Sequence, residues 1–157
     1  MLKIRFIVVD RTRASFLKEG EGIYLERLKR YAQIQWIEVK PAAIKKRRAE
    51  EDITKTEGHA IAKRLGSNDY VIALDPSGKQ CNSEKFAAWL QKLSISVRGW
   101  VSFVIGGPMG LSREISDRAD SILSLSRMTL THEMCRLFLV EQVYRAFTIM
   151  EGGKYHK

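Results

Sequence analysis

The segment WVSFVIGGPMG, residues 100–110, contains the pattern that decides the fold class. Trp100–Ile105 is a short apolar run rich in β-branched and aromatic residues, which predicts a buried strand. The run ends at the glycine loop Gly106–Gly110, and a short helix is predicted over about Arg113–Ala119, with Ser112 as its N-cap. A buried strand followed by a loop and a helix is typical of one unit of a parallel α/β sheet.

The same alternation extends in both directions along the chain. Further strands are predicted at Leu2–Val9, Gln33–Val39, Tyr70–Leu74 and Ser121–Leu125, and further helices at about Phe16–Ala32, Ala49–Leu65, Ser83–Leu93 and His132–Met150. Asp75–Gly78 predicts a turn, and Ser126–Thr131 a polar loop. We therefore expect one domain over residues 1–157: a mainly parallel sheet with helices on both faces and ligands at the carboxyl ends of the strands.

The charge of the chain is uneven. The 157 residues carry a formal net charge of +9, and residues 1–66 account for +7 of it. The densest basic cluster is Lys40 with Lys45, Lys46, Arg47 and Arg48. The last four predict contact with nucleic-acid phosphates, and the alternative is a solvated basic surface. No apolar run approaches the roughly 20 residues of a membrane-spanning helix. Two cysteines, as free thiols, fit a cytoplasmic protein.

Two segments resemble well-known binding motifs but lack residues that those motifs require. The glycine loop lacks the spacing of a dinucleotide fingerprint and the Gly-Lys-Ser/Thr ending of a phosphate loop, so it is either a plain tight turn or a close backbone approach to a ligand. His132-Glu133-Met134-Cys135-Arg136 begins like a zinc-protease motif, but Arg136 stands where the second histidine is needed. We therefore expect no metal site.

The end of the chain carries chemically active side chains. Glu141 and Arg145 are spaced for an ion pair on one helix face. Two apolar stripes on this helix predict either a buried helix or a homodimer interface. By themselves, Tyr155 and His156 after two glycines predict a frayed tail, the alternative being a tail that folds over a pocket.

Taken together, five motifs resemble those of the RlmH-type 23S rRNA (pseudouridine-1915-N3) methyltransferases of the SPOUT class. The resemblance covers essentially the whole chain. The chain departs from the family pattern at Thr131, where proline is usual, and Met109 occupies a variable position. The motifs are Leu74–Gly78, Phe103–Leu111, Leu123–His132, Glu141–Ala146 and Tyr155-His156.

This resemblance implies more than the periodicity of the sequence does. It implies a C-terminal trefoil knot, a homodimer, and S-adenosylmethionine bound in a bent form without any metal. Backbone groups would hold the adenine edge and apolar side chains would cover its faces. The donor-binding residues by this resemblance are Leu74, Gly106, Leu125, Ser126, Arg127, Met128, Thr129 and Leu130.

The implied substrate is N3 of pseudouridine 1915 in helix 69 of 23S rRNA, on the assembled ribosome. Arg145 would favour the imide anion, His156 would accept its proton, and Tyr155 would position the base or ribose. By analogy with the class, the tail of one subunit completes the pocket of the other. Two alternatives remain: a SPOUT methyltransferase for another RNA base, and a non-catalytic ribosome-binding protein. A flavodoxin-like nucleotide module is disfavoured, because no phosphate loop follows the first strand.

Overall fold

Five strands form one sheet in the computed structural model, which describes residues 1–157. Every pair of neighbouring strands is parallel, and the order across the sheet is β2-β1-β4-β3-β5. The prediction of a mainly parallel sheet is confirmed. The strands are β1 (Leu2–Val9), β2 (Ala32–Val39), β3 (Tyr70–Lys79), β4 (Val101–Ile105) and β5 (Ser121–Leu123).

Helices cover both faces of this sheet, as predicted. One core forms beneath α1, α3 and α5, and a smaller one beneath α2 and α4. No helix is long and apolar enough to cross a membrane. The helices are α1 (Ser15–Leu28), α2 (Glu50–Ala62), α3 (Ser83–Ser96), α4 (Arg113–Arg118) and α5 (His132–Met150), followed by a 3-10 turn at Lys154–His156.

Helix α5 owes its two apolar stripes to its position in the larger core. Leu139 and Val143 are fully buried, and complete burial of such side chains contributes about 1.5–3 kcal/mol each. On another side, Tyr144 packs against Tyr24 of α1, with ring centroids 5.8 Å apart. Burial within the chain therefore explains both stripes.

The predicted turn at Asp75–Gly78 is wrong, because β3 continues through it. Leu74 and Lys79 both pair with Leu123, so the residues between them bulge out of the ladder. Pro76 has no N–H for a ladder and suits such a bulge. A Cβ at Gly78 would lie 2.8 Å from the Ile122 backbone, so only glycine lets the strands close again here.

Several predicted element ends also shift. Helix α1 ends at Leu28 rather than Ala32, since Ala32 already pairs with Leu2 in the sheet. Strand β5 ends at Leu123. The Ser124 N–H still donates to the Lys79 carbonyl of β3 at 3.0 Å, but the Ser124 hydroxyl donates to the Ser126 carbonyl at 3.0 Å and the chain turns there. Helix α2 ends at Ala62 rather than Leu65, and α3 extends beyond Leu93 to Ser96.

The chain end is not frayed, so the prediction made from the tail alone is wrong. Residues Lys154–His156 form a 3-10 turn. The Tyr155 ring packs edge-on against Tyr144 of α5, with centroids 4.9 Å apart. Aromatic packing of this kind offsets the conformational entropy that is lost when a chain terminus becomes ordered.

Candidate cofactor and RNA site

A cavity of about 840 Å³ opens where β3, β4 and β5 end. This is the edge at which ligands collect in parallel sheets. Half of its 22 lining residues are hydrophobic. The lining comes from the β3 bulge, the glycine loop, the segment 123–131, the start of α5 and the start of α1.

Most of the residues predicted to bind the methyl donor lie around this one cavity. Arg127 is the exception: it belongs to the same run but is exposed and does not line the cavity. The predicted residues in the lining are Leu74, Gly106, Leu125, Ser126, Met128, Thr129 and Leu130.

The glycine loop is both a tight turn and a wall of the cavity. A Cβ at Gly106 would lie 2.6 Å from the Gly110 carbonyl oxygen, which no side chain tolerates. Gly110 has a φ of 81°, in the left-handed region that favours glycine. The Gly110 N–H donates to the Gly107 carbonyl at 3.0 Å. The loop is therefore a tight turn, and its backbone also lines the cavity, so the two interpretations of the glycines are compatible.

Thr131, the departure from the family pattern, caps α5. Its hydroxyl oxygen accepts the Met134 N–H at 3.2 Å. In segment 123–131, which lines the cavity, the Ser126 hydroxyl accepts the Met128 N–H at 3.0 Å and closes a tight turn. A threonine here thus satisfies a helix N–H that would otherwise lack a side-chain partner.

Four ionisable side chains line the cavity: Asp75, His132, Glu133 and Cys135. Burial raises the pKa of the Cys135 thiol, so it stays protonated. Burial, helped by the nearby Arg136 charge, lowers the pKa of His132 and favours the neutral imidazole. Burial alone would raise the pKa of Glu133, but hydrogen bonds from the backbone at Ala14 and Arg13 outweigh it and lower the pKa. The ionised groups of the cavity are therefore carboxylates.

Arg136 is a structural residue behind this cavity. It is fully buried and donates to the Val9 carbonyl at 2.5 Å and to the Thr12 hydroxyl at 3.0 Å. The Thr12 hydroxyl in turn donates to Glu21 at 2.7 Å. The residue that ruled out a zinc motif thus ties α5 to the segment between β1 and α1.

The tail and α5 form a second cluster, which contains the three predicted catalytic residues. Arg145 donates to Glu141 at 2.5 Å, and its guanidinium carbon lies 4.7 Å from the centre of the Tyr155 ring. The Tyr155 hydroxyl also donates to Glu141, at 3.0 Å. Burial, together with hydrogen bonds to Tyr24 and Glu141, raises the pKa of Tyr155, so its phenol stays protonated.

His156 completes this cluster, and both of its ring nitrogens have neighbours. Nδ1 lies 3.5 Å from Arg145 Nη1, and Nε2 lies 2.8 Å from Glu84 Oε1 on α3. The cluster therefore brings Arg145, Tyr155 and His156 together. None of the three lines the cavity of its own chain.

Known proteins resemble this chain over its whole length. The family model described as "Predicted SPOUT methyltransferase" matches residues 2–156. The chain belongs to the SPOUT methyltransferase family. The family expectation from the sequence is thereby confirmed. A Ribosomal RNA large subunit methyltransferase H of Carboxydothermus hydrogenoformans is 41% identical, and the alignment covers 99% of this chain and all of that protein.

Other relatives of this SPOUT methyltransferase agree with that assignment. A protein with the same name from Leuconostoc citreum is 38% identical over 99% of this chain and all of its own length. Among solved structures, a probable methyltransferase from Bordetella pertussis Tohama I superimposes with a TM-score of 0.55. That superposition covers 92% of this chain and 94% of the other at 13% identity, so it supports the fold alone.

The predicted RNA-contacting residues of this SPOUT methyltransferase lie between β2 and α2, in segment 40–48. Lys45, Lys46 and Arg47 are exposed. Arg48 is half-buried and donates to the Thr56 hydroxyl at 2.7 Å. The first three cations are free for phosphates, whereas Arg48 attaches the segment to α2.

The sequence analysis did not predict His132 and Glu133 as lining residues of the cavity, and it missed Glu57, which lies behind the cavity wall. Glu57 of α2 is only 3% exposed, and its Oε2 accepts the Ala42 N–H at 3.0 Å. A signal existed: Glu57 lies four residues from both Ile53 and Ile61, which places it on the buried face of α2. No group of three or more His, Cys, Asp or Glu side chains is arranged to hold a metal ion.

Proposed function

We propose that this protein transfers a methyl group from S-adenosylmethionine to N3 of pseudouridine 1915 in helix 69 of 23S rRNA, on the assembled ribosome in the cytoplasm. The observation that carries this proposal is the cavity beside the glycine loop. Its place at the carboxyl ends of β3 to β5 coincides with the residues expected to bind the donor. The family and the names of its relatives support the reaction class and the RNA substrate.

The cavity suits a nucleoside-bearing sulfonium in size and charge. Its volume of about 840 Å³ lies in the range of small-molecule sites. Leu74, Ile105 and Leu125 offer apolar surface for an adenine. Asp75 and Glu133 offer negative charge, which attracts the positive sulfonium and ammonium groups. When bound, the donor supplies an activated methyl group.

The protein's own residues must favour loss of the N3 proton from the base. The Arg145 guanidinium is always charged and stabilises a developing imide anion. His156 accepts the proton once a ring nitrogen is released from its neighbour. The contact of Nδ1 with Arg145, at 3.5 Å, is the weaker of its two contacts. Tyr155, held by Glu141, positions the base or ribose.

His132 is a second candidate for the proton acceptor. It lines the cavity of its own chain, and its lowered pKa keeps the imidazole in the accepting, neutral form. His156 depends instead on a partner subunit. We therefore propose a homodimer in which the tail of one chain completes the cavity of the other, and a C-terminal trefoil knot of the SPOUT kind.

Titration of the protein with S-adenosylmethionine in a calorimeter tests the donor site. We expect saturable binding with one site per chain, followed by methyl transfer to ribosomes. Absence of binding would favour the alternative of a non-catalytic ribosome-binding protein. Mass mapping of rRNA from a deletion strain tests the target, because loss of a methyl group at another base would identify a different substrate.

A further inference from the structure

The Glu57 carboxyl lies between the two segments to which the proposed function assigns different ligands. On one side, its Oε2 accepts the N–H of Ala42, which belongs to segment 40–48. Its Oε1 is buried and has no hydrogen-bond partner. Among the buried side-chain oxygens, it is the only one left unpaired. An unpaired buried oxygen destabilises the fold and is rare in native structures, so it calls for an explanation.

On its other side, the carboxyl faces the glycine loop. A Cβ at Gly107 would lie 3.2 Å from Glu57 Oε1 and 3.4 Å from a Val9 methyl carbon. The unpaired oxygen therefore faces the side of Gly107 on which a side chain would stand, behind the cavity wall. Gly107 itself lines the cavity.

Segment 40–48 is attached to α2 at two consecutive residues. Arg48 donates to the Thr56 hydroxyl at 2.7 Å, and the neighbouring Glu57 accepts the Ala42 N–H at 3.0 Å. The Ala42 N–H therefore links the position of segment 40–48 directly to the Glu57 carboxyl. The carboxyl cannot move without changing its contact with Gly107, because it is enclosed on all sides.

We propose that Glu57 is a positioning residue that couples segment 40–48 to the glycine loop, so that RNA binding and methyl-donor binding strengthen each other. The proposal rests on the proposed function for the identity of both ligands. The unpaired Oε1 gains a backbone partner in the glycine loop when both ligands are bound. Thermodynamic linkage then requires that each ligand increase the affinity for the other by the same factor.

Coupling is tested by measuring ribosome affinity in a filter-binding assay with and without saturating S-adenosylhomocysteine, an unreactive probe of the donor cavity. For the native chain we expect the probe to tighten ribosome binding about fivefold or more. Glu57→Ala is expected to reduce this ratio to one. Glu57→Gln is expected to lose the coupling as well, because the amide oxygen still accepts the Ala42 N–H but the amide N–H2 that replaces Oε1 is a donor and cannot accept a loop N–H.

Glu51→Ala is the matched control, since Glu51 is an exposed acid on the same helix. It should leave the ratio unchanged. If Glu57→Ala does not fold, Glu57→Asp replaces it, because the shorter side chain withdraws from both segments. A ratio of one in the native chain, or an unchanged ratio in the Ala or Asp variant, overturns the coupling. Failure of the native chain to bind the probe overturns the proposed function instead.

Discussion

Two buried glutamates show how differently one side chain is accommodated in this molecule. Both carboxylate oxygens of Glu21 lie within hydrogen-bond distance of the Thr12 hydroxyl, which shares its one proton between them, and the carboxyl lies near the Arg136 charge. Glu57 accepts only the Ala42 N–H at one oxygen. Burial raises the pKa of both carboxyls, opposed by these hydrogen bonds and cations. Glu57, which lies beside the glycine loop, has the fewer contacts to offset the cost of burial, because its Oε1 has no hydrogen-bond partner.

Replacing Glu57 by glutamine should change how stability depends on pH. Because the pKa of Glu57 is raised by folding, its stabilising contribution is complete below the unfolded value near 4.5 and is lost as pH rises through the folded value. Glutamine does not ionise and has no such loss. We expect Glu57→Gln to become increasingly more stable than the native chain as pH rises, measured by urea unfolding.

The control for this measurement is Glu51→Gln, on the exposed side of the same helix. The unfolding free energy of Glu51→Gln should change with pH in the same way as that of the native chain. Parallel curves for Glu57→Gln and the native chain would show that the Glu57 carboxyl ionises as easily in the fold as outside it.

The proton acceptor can be assigned by comparing two histidines. If His156 accepts the proton, His156→Ala should lower methyl transfer to ribosomes by about a hundredfold or more. Donor affinity should remain unchanged, because His156 does not line the cavity. His132→Ala should then affect donor affinity more than turnover. The reverse result, with turnover lost only in His132→Ala, would assign the role to the cavity histidine.

At the scale of elements, helix α1 is capped by another helix. Its N-cap is Ala14, which has no capping side chain. Glu133 at the start of α5 accepts the N–H of Arg13 at 2.5 Å and that of Ala14 at 3.1 Å instead. Both helix starts line the cavity, so this carboxylate fixes two of its walls together.

Removing this shared cap should loosen the cavity entrance. We expect Glu133→Ala to cost about 1 kcal/mol of unfolding free energy, the usual effect of losing a helix cap. Hydrogen exchange at the Arg13 and Ala14 amides should accelerate. Glu19→Ala, an exposed acid within α1, is the control and should change neither quantity. Unchanged exchange in Glu133→Ala would mean that the cap contributes nothing in solution.

Segment 40–48 should behave as a phosphate-binding element. Reversing Lys45, Lys46 and Arg47 to glutamate should weaken ribosome binding and reduce its salt dependence, because each lost phosphate contact lowers the slope by about one. Donor affinity without ribosomes should be unaffected. The control is Lys92→Glu, which reverses the charge of an exposed lysine on α3. An equal loss of donor affinity would contradict a role confined to RNA.

Sequence patterns predicted these elements better than the contacts between them. The apolar run of β1 and the full extent of α5 were predicted to the residue, because periodicity alone determines them. The β3 bulge was missed because Asp75–Gly78 has the composition of a turn. The cap from Glu133 and the position of Glu57 depend on residues far apart in sequence, which no local pattern reveals.

At the scale of the whole molecule, the cavity and the tail cluster lie apart in one chain. The cavity opens at the ends of β3 to β5, whereas Tyr155 and His156 contact α1, α3 and α5. The sequence and its family resemblance predicted both sets of residues. The separation of the two sets could not be predicted, because it depends on the three-dimensional fold. The anchoring of the tail could not be predicted either, because Tyr155 and His156 bind residues that are distant in sequence.

This separation makes a complementation experiment decisive. Gly106→Val should deform the glycine loop that forms a wall of the cavity, because any Cβ meets the Gly110 carbonyl oxygen, and His156→Ala should disable the tail. If tails act across subunits, a mixture of the two inactive variants regains activity in mixed dimers, where one intact cavity meets one intact tail. The readout is methyl transfer after the variants are refolded together. No recovery would mean that each tail serves its own chain.

The order of the strands also governs how this chain can be made. Ile4 of β1 pairs with Ile34 on one side and with Val101 on the other. During translation the first β-α-β unit, β1 to β2, can assemble early, but the second edge of β1 stays open until residue 101 leaves the exit tunnel. An unpaired edge in a nascent chain invites aggregation. Early pauses in synthesis should therefore be more damaging to the yield of this protein than late ones.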